Sequence, residues 1–237
     1  MKANFLLYIF IFLVIISTIL FFEGILNRHN KKLLKVFPTD VETKAIYNGY
    51  AEYGHTIIFS KTEGLKNKSK LFKYYVDGVV HDAKGDSYNR KFNIKYVIDK
   101  NSIKEIVVNN DEFREKGVNN KLNSIIPNQI ILKLPLKVGN SWEQKFTYNN
   151  KEYVANTVIT FANRSNKNKK LYKTRTVVDK IEGFFNDRYI EERLYEENRG
   201  LISFTNSMPL FDIDIDRELE EEDYMFGYYQ TYIIYPN

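Results

Sequence analysis

The chain predicts an all-β fold, mainly an antiparallel curved sheet in the form of an open half-barrel or sandwich, preceded by one N-terminal transmembrane helix. Three observations carry this. From Ile46 onward, short runs of β-branched and aromatic residues recur between Gly, Asn and Asp. No strand–helix alternation with helical periodicity interrupts them, which argues against a doubly wound α/β fold. Ahead of them, Phe5 to Phe22 is an unbroken apolar run in which only Ser17 and Thr18 are mildly polar.

At about 1.5 Å per residue that run makes a helix of roughly 27 Å, close to the hydrocarbon thickness of a bilayer. A cleaved signal peptide would have a shorter apolar core and small residues at its end. Here Phe21, Phe22, Glu23, Gly24, Ile25 and Leu26 follow, with no A-x-A-like site. The chain has no cysteine, so a lipid-modified cysteine cannot be the tether. Residues 1–26 are therefore expected to be a transmembrane signal anchor that holds the chain to the lipid bilayer. For orientation, Lys2 stands against Arg28, Lys31, Lys32 and Lys35, a balance that favours a cytoplasmic domain. Against it, the apolar segment begins at residue 3, thiols are absent, and the following domain has the composition of an exported β protein. Long domains also translocate largely regardless of charge. An extracytoplasmic domain is expected.

Residues 27–36 read as a basic juxtamembrane stalk, and Phe37-Pro38 stops any helix because the residue before proline is pushed out of the helical region. The antiparallel β domain is expected over residues 37–210. Its predicted strands are Ile46 to Ala51, His55 to Ser60, Leu71 to Val80, Lys91 to Ile98, Ile103 to Val108 and Gln129 to Leu134. Trp142 to Tyr148, Tyr153 to Ala162, Leu171 to Asp179, Arg188 to Tyr195 and Leu201 to Thr205 follow. Asp77-Gly78, Lys84-Gly85-Asp86, Asp99-Lys100-Asn101, Asn149-Asn150 and Glu182-Gly183 supply turn chemistry. One short helix is expected within Asn109 to Asn123, and Asn163 to Lys170 reads as a polar hairpin tip. Residues 211–237 form an acidic C-terminal tail ending in a possible strand, Tyr228 to Tyr235.

About 210 residues beyond the anchor suffice for one sandwich- or barrel-sized β domain. The net charge of +5 hides an asymmetry. Residues 24–210 hold 33 of the 35 Lys and Arg but 21 of the 30 Asp and Glu, whereas the tail from Phe211 carries eight acids and only Arg217. A basic body suits an anionic surface such as lipid headgroups or wall polymer, or its own tail. The excess of Tyr and Phe reflects either biased composition or an aromatic ligand platform.

The segment Pro135-Leu136-Lys137-Val138-Gly139-Asn140-Ser141-Trp142 reads as a lead-in to a strand. Proline pre-sets φ, glycine permits a left-handed turn, and the aromatic then caps a sheet edge. A weak echo begins at Pro38, with Ala45 in the place of Trp142 and Glu42 in that of the glycine.

Together with Tyr47 to His55, the segment Ile130 to Trp142 resembles a family of exported, membrane- or lipid-anchored bacterial proteins, mostly from Gram-positive species. A weaker third segment takes in Tyr189, Glu191, Tyr195 and Gly200-Leu201-Ile202. In that family a tryptophan usually precedes the first segment, where this chain has Ala45. The resemblance implies an antiparallel curved sheet outside the cytoplasmic membrane, with no assigned catalytic residues. Tyr50, Glu52, Tyr53, His55 and Trp142, from the two stronger segments, are the candidate binding residues.

Enzyme chemistry finds little footing. The three histidines are His29, in the stalk, His55 and His81, and nothing in their spacing forces metal ligands to converge. There is no cysteine, no G-x-S-x-G elbow and no S-x-x-K. Neither phosphate-cradling glycine motif occurs, so no cofactor is expected. Glu191, Glu192, Glu196 and Glu197 form an acidic cluster, but neighbours on a strand face opposite ways, so the cluster reads as a solvated edge rather than a hydrolytic pair. In the tail, Asp212, Asp214, Asp216 and Asp223 match positions 1, 3, 5 and 12 of a calcium loop. Arg217 stands where that loop needs glycine. Tyr74, Tyr75, Tyr96 and Lys91 would suit a single-stranded nucleic acid, but an outward location denies them that ligand, so no nucleic acid is expected.

The expected function is a non-enzymatic binding or scaffolding module at the cell envelope, with an envelope protein, wall polymer or lipid as partner. The alternative is a cell-envelope hydrolase acting on glycan or peptide, its residues assembled only by the fold.

Overall fold

The computed structural model of the chain describes residues 11–18, 32–38, 43–49, 53–62, 72–82, 90–109, 124–165, 167–210 and 225–235. All twelve strands expected from the sequence are present: β1 (Thr43–Gly49), β2 (Tyr53–Thr62), β3 (Phe72–Asp82), β4 (Arg90–Ile98), β5 (Ser102–Asn109) and β6 (Ile130–Lys133), then β7 (Ser141–Tyr148), β8 (Lys151–Arg164), β9 (Lys170–Asp179), β10 (Arg188–Glu196), β11 (Gly200–Ser207) and β12 (Met225–Ile234). They form one antiparallel sheet in the order β6-β5-β4-β3-β2-β1-β12-β11-β10-β9-β8-β7. The sandwich alternative is set aside, because every strand belongs to the same sheet. Two six-strand meanders are joined where β1 pairs with β12, for example Ala45 opposite Ile233.

The edge strands β6 and β7 are consecutive in sequence, and side chains rather than a backbone ladder bridge them. The Ile130 N–H donates to Gln144 Oε1 (2.8 Å), and Trp142 Nε1 donates to the Ile130 carbonyl (2.9 Å). Asn140 Nδ2 donates to the Lys133 carbonyl (2.8 Å). The sheet therefore curls until its edges face one another, without closing as a hydrogen-bonded barrel. Gly139 holds the expected left-handed turn, with φ at 83°.

Alternation along each strand sorts the interior into layers. On β10, Tyr189, Glu191, Arg193 and Tyr195 all point inward; on β9, Tyr172, Thr174, Thr176 and Val178 do. Tyr172 and Tyr195 join one apolar cluster with Tyr47, Ile98, Ile103, Ile131 and Phe204. Val178 and Tyr189 join a second with Phe146, Ile181 and Phe184. The polar residues lie between. Gly227 on β12 faces Thr205 on β11, where a Cβ would collide with the Phe204 carbonyl oxygen.

Antiparallel order sends alternate loops to opposite ends of the curl. The end bearing the β4–β5, β6–β7, β8–β9 and β10–β11 connections is plugged by residues 32–38. Residues 27–36 are expected as a basic juxtamembrane stalk, yet within their described part Leu33 and Val36, like the following Phe37, are fully buried in the first cluster. Their spacing, i, i+3 and i+4, puts all three on one side of a helical turn. The Phe37 ring lies 4.6 Å from that of Tyr96. The turn is fastened to the β10–β11 connection, with Asn198 N–H donating to the Lys35 carbonyl (2.7 Å) and Gly200 N–H to that of Val36 (2.8 Å).

One other expectation changes. Asp77-Gly78 is no turn but lies within β3, opposite Ile58 and Ile57 of β2, because the surrounding β-branched run continues through it. No helix among the described residues is long and apolar enough to cross a membrane. Residues 11–18 are helical with exposed side chains, and the remainder of the expected anchor lies outside the described residues, as does most of the helix expected within Asn109 to Asn123.

Candidate functional site

Two features stand out from the scaffold: a buried ionic layer across the middle of the interior and a cavity at the plugged end. In the layer, Arg193 of β10 donates through Nη1 and Nη2 to both carboxylate oxygens of Glu105 on β5, each at 2.9 Å. Its Nε donates to Glu191 Oε1 (2.6 Å) and Nη2 also to Gln129 Oε1 (2.9 Å). Gln129 Nε2 returns to Glu191 Oε1 (2.9 Å), and the Tyr189 hydroxyl donates to Glu191 Oε2 (2.9 Å). The Phe204 ring sits 5.0 Å from the guanidinium carbon. Burial alone would lower the Arg193 pKa, but Glu105 and Glu191 beside it hold it well above the ordinary value. Burial, with the Glu191 charge adding to it, pushes the Tyr189 phenol well up. One guanidinium thus serves two carboxylates, with Gln129 and Tyr189 supplying further hydrogen bonds, and all of these side chains are sealed from solvent.

This corrects the reading of the glutamate cluster as a solvated edge. Glu191 and Glu196 are buried, while Glu192, on the opposite face as expected, meets Lys173 (2.6 Å) and Arg175 (3.0 Å) at the surface. A register shift between Leu194 and Tyr195 turns both Tyr195 and Glu196 inward. Glu196 accepts from Arg199 (2.6 Å), which also donates to Gln230, which in turn donates to the Tyr47 hydroxyl.

The cavity has a volume of about 470 Å³ and is lined by Lys32, Asn101, Lys133, Leu134, Pro135, Leu136, Lys170 and Tyr172. Four chain segments build it. The plug contributes Lys32, the β4–β5 turn Asn101, the end of β6 with its following loop residues 133–136, and the start of β9 Lys170 and Tyr172. Three of the eight side chains are ammonium groups and none is a carboxylate. Lys32, Lys133 and Lys170 make no ion pair among the described residues. The nearby acids are occupied. Asp99 accepts from the Asn101 and Ser102 amides and the Ser102 hydroxyl, and Glu197 Oε2 from the Lys170 amide at 3.4 Å. Partial burial raises the Tyr172 pKa, with Glu197 adding to the effect. The lining thus combines three cationic side chains with an apolar set, Leu134, Pro135, Leu136 and Tyr172.

Of the residues singled out from sequence, Tyr50 and Glu52 lie outside the described residues. Tyr53 and His55 stand on β2, opposite Asp82 and Val80 of β3. Trp142 is on β7, at the far edge of the sheet, buried and bonded to β6. The fold does not bring Trp142 to the β2 pair. Asp212, Asp214, Asp216 and Asp223 lie outside the described residues. No group of three or more metal-ligating side chains occurs among the described ones. Tyr96 is a core residue rather than a stacking platform. Sequence reasoning missed Lys133 and Lys170 as members of a site, and no local motif links them. For Lys32, the Leu33, Val36 and Phe37 spacing was a usable sign that its segment docks.

No protein-family model matches the chain, and no curated protein matches it. Among solved structures it is similar to a Bacteroides fragilis protein described as exported and as having a YmcC-like fold. There the TM-score is 0.46 and the identity 10%, over 84% of this chain and 98% of that one. It is also similar to a Parabacteroides distasonis protein described as a lipoprotein, with a TM-score of 0.45 and 11% identity over the same shares.

Proposed function

We propose that the chain is a membrane-anchored binding module of the cell envelope, non-enzymatic, whose β domain lies outside the cytoplasmic membrane and takes its ligand in the end cavity. The observation that carries this reading is the contrast between the two polar features. The buried carboxylates are engaged by Arg193, Gln129 and Tyr189, whereas the three lysines line the cavity without ion-pair partners among the described residues. A hydrolase would need the opposite: carboxylates within reach of a substrate and poised for proton transfer. The anchor is supported by the apolar run from Phe5 to Phe22 and by residues 11–18, a helical stretch exposed on every side instead of covered by the β domain. Within it the Thr18 hydroxyl donates to the Val14 and Ile15 carbonyls, which satisfies that polar group in an apolar solvent.

Fractionating cells that express the full chain and a form starting at Asn27 tests the anchor. The full chain is expected in the membrane pellet, and its appearance in the soluble fraction would defeat the reading. Protease added to intact protoplasts tests sidedness: the β domain is expected to be cut there, and its survival until lysis would put it in the cytoplasm.

A further inference from the structure

We infer that the ligand of the end cavity is an anionic, phosphate-headed lipid. Lys32, Lys133 and Lys170 grip its head, and the beginning of its apolar body lies against Leu134, Leu136 and Tyr172. This rests on the reading of the domain as a binding module held at the membrane, and it names what the module takes.

The charge pattern comes first. Lys32, Lys133 and Lys170 belong to segments far apart in sequence, and the fold brings them to the wall of one cavity whose lining, among the described residues, holds no carboxylate. Like charges sharing a concave, partly apolar wall repel, and an anion seated among them relieves the repulsion. Lysine acts on phosphate as a compact point charge with rotatable donors, so three ammonium groups suit a tetrahedral oxyanion better than they suit a planar carboxylate, which favours the arginine fork.

The apolar part of the lining decides what the anion is attached to. Leu134, Pro135, Leu136 and the Tyr172 ring supply an apolar surface that a free phosphate or a polyol phosphate chain would leave wet. A volume of about 470 Å³ also exceeds what a phosphate alone fills and falls in the range of small-molecule sites. An amphiphile uses both the cationic and the apolar parts of the lining.

Placement agrees with this. Lys32 lies on the plug, fourteen residues beyond Thr18, at the end of the described helix, a span of at most about 50 Å fully extended. The cavity is therefore within reach of the headgroup layer of the bilayer that holds the apolar run. Because the plug carries one of the three lysines, and β6 and β9 the others, a bound head ties the plug to the sheet.

The test uses the full chain in an uncharged detergent, titrated with water-soluble short-chain phosphatidylglycerol, short-chain phosphatidylcholine, inorganic phosphate and poly(glycerol phosphate), with heat of binding as the readout. Phosphatidylglycerol is expected to bind at least about tenfold tighter than phosphatidylcholine, with inorganic phosphate competing weakly. The triple variant K32Q/K133Q/K170Q is expected to lose about tenfold or more. K145Q/K167Q/K180Q, which removes equal charge at exposed positions outside the cavity, is expected to bind as the parent does. Leu136→Ser is expected to weaken the lipid and leave inorganic phosphate unchanged. Equal affinity for the two lipids, or equal losses in both triple variants, would overturn the proposal. Poly(glycerol phosphate) bound more tightly than lipid, and lost in the cavity variant, would overturn the lipid while leaving a binding module. Silence from every probe would remove both.

Discussion

Arg193 on β10 and Glu105 on β5 form a two-pronged ion pair although six strands separate them in the sheet. In a flat sheet, seven inter-strand steps of about 4.8 Å would hold them some 34 Å apart. Their contact at 2.9 Å is a direct measure of how far the sheet curls. It also joins the two meanders, since β5 belongs to the first and β10 to the second.

Replacing Arg193 by Met is expected to destabilise the domain by about 3–5 kcal/mol, because Glu105 and Glu191 are left buried without their cation. Replacing Arg193, Glu105 and Glu191 together by apolar residues of similar volume is expected to recover most of that loss. Denaturant titration followed by circular dichroism checks both. An Arg193→Met protein as stable as the parent would mean that the layer is wet.

The seam between β6 and β7 rests on Gln144 and Trp142. Gln144 accepts from Ile130 and donates to the Pro127 (3.3 Å) and Asn128 (3.1 Å) carbonyls. Gln144→Ala is expected to expose the Ile130 amide and speed its hydrogen exchange at least about tenfold, the loss of one hydrogen bond of about 1.5 kcal/mol. Amides within β9 and β10 are expected to exchange as before.

The plug makes a third prediction. Phe37→Ala removes a fully buried ring packed on Tyr96 and is expected to cost about 3–5 kcal/mol. Because the loss strikes the end of the curl, limited proteolysis is expected to cut near residues 32–38 before it cuts the β8–β9 hairpin.

Alkaline pH is expected to unfold the domain cooperatively. Burial raises the phenol pKa of Tyr47, Tyr96, Tyr189, Tyr195 and Tyr228 above the ordinary value of 10.0. These groups bind a proton more tightly folded than unfolded, so their contribution is fully present below about pH 10 and is lost as pH rises beyond it. Tyrosinate absorbance and circular dichroism are expected to change together in one step. Gradual ionisation with the sheet intact would contradict the burial of these rings.

The strands were legible because each is a run of β-branched and aromatic residues ended by Gly, Asn or Asp, and that local signal survives without knowledge of partners. Which face of a strand is core is a different matter. Alternation told that Glu191 and Glu192 part company, but placing Glu191 inside depends on Arg193, and the value of Arg193 depends on Glu105, eighty-eight residues away. The bulge that turns Glu196 inward leaves no mark in local composition. Lys32 was masked by its own charge: a basic stretch after an apolar run reads as a stalk, although Leu33, Val36 and Phe37 share one helical side. Lys133 and Lys170 sit at strand ends where lysine is ordinary, and only the curl makes them neighbours.

The central claim is that the domain binds at its plugged end and leaves its ionic interior undisturbed. Hydrogen exchange of the full chain, measured by mass spectrometry with and without short-chain phosphatidylglycerol, tests this most directly. Slower exchange is predicted in residues 32–37, 132–136 and 170–172, with β11 and the middle of β10 unchanged. Protection centred on β10 to β12, or none anywhere, would contradict it.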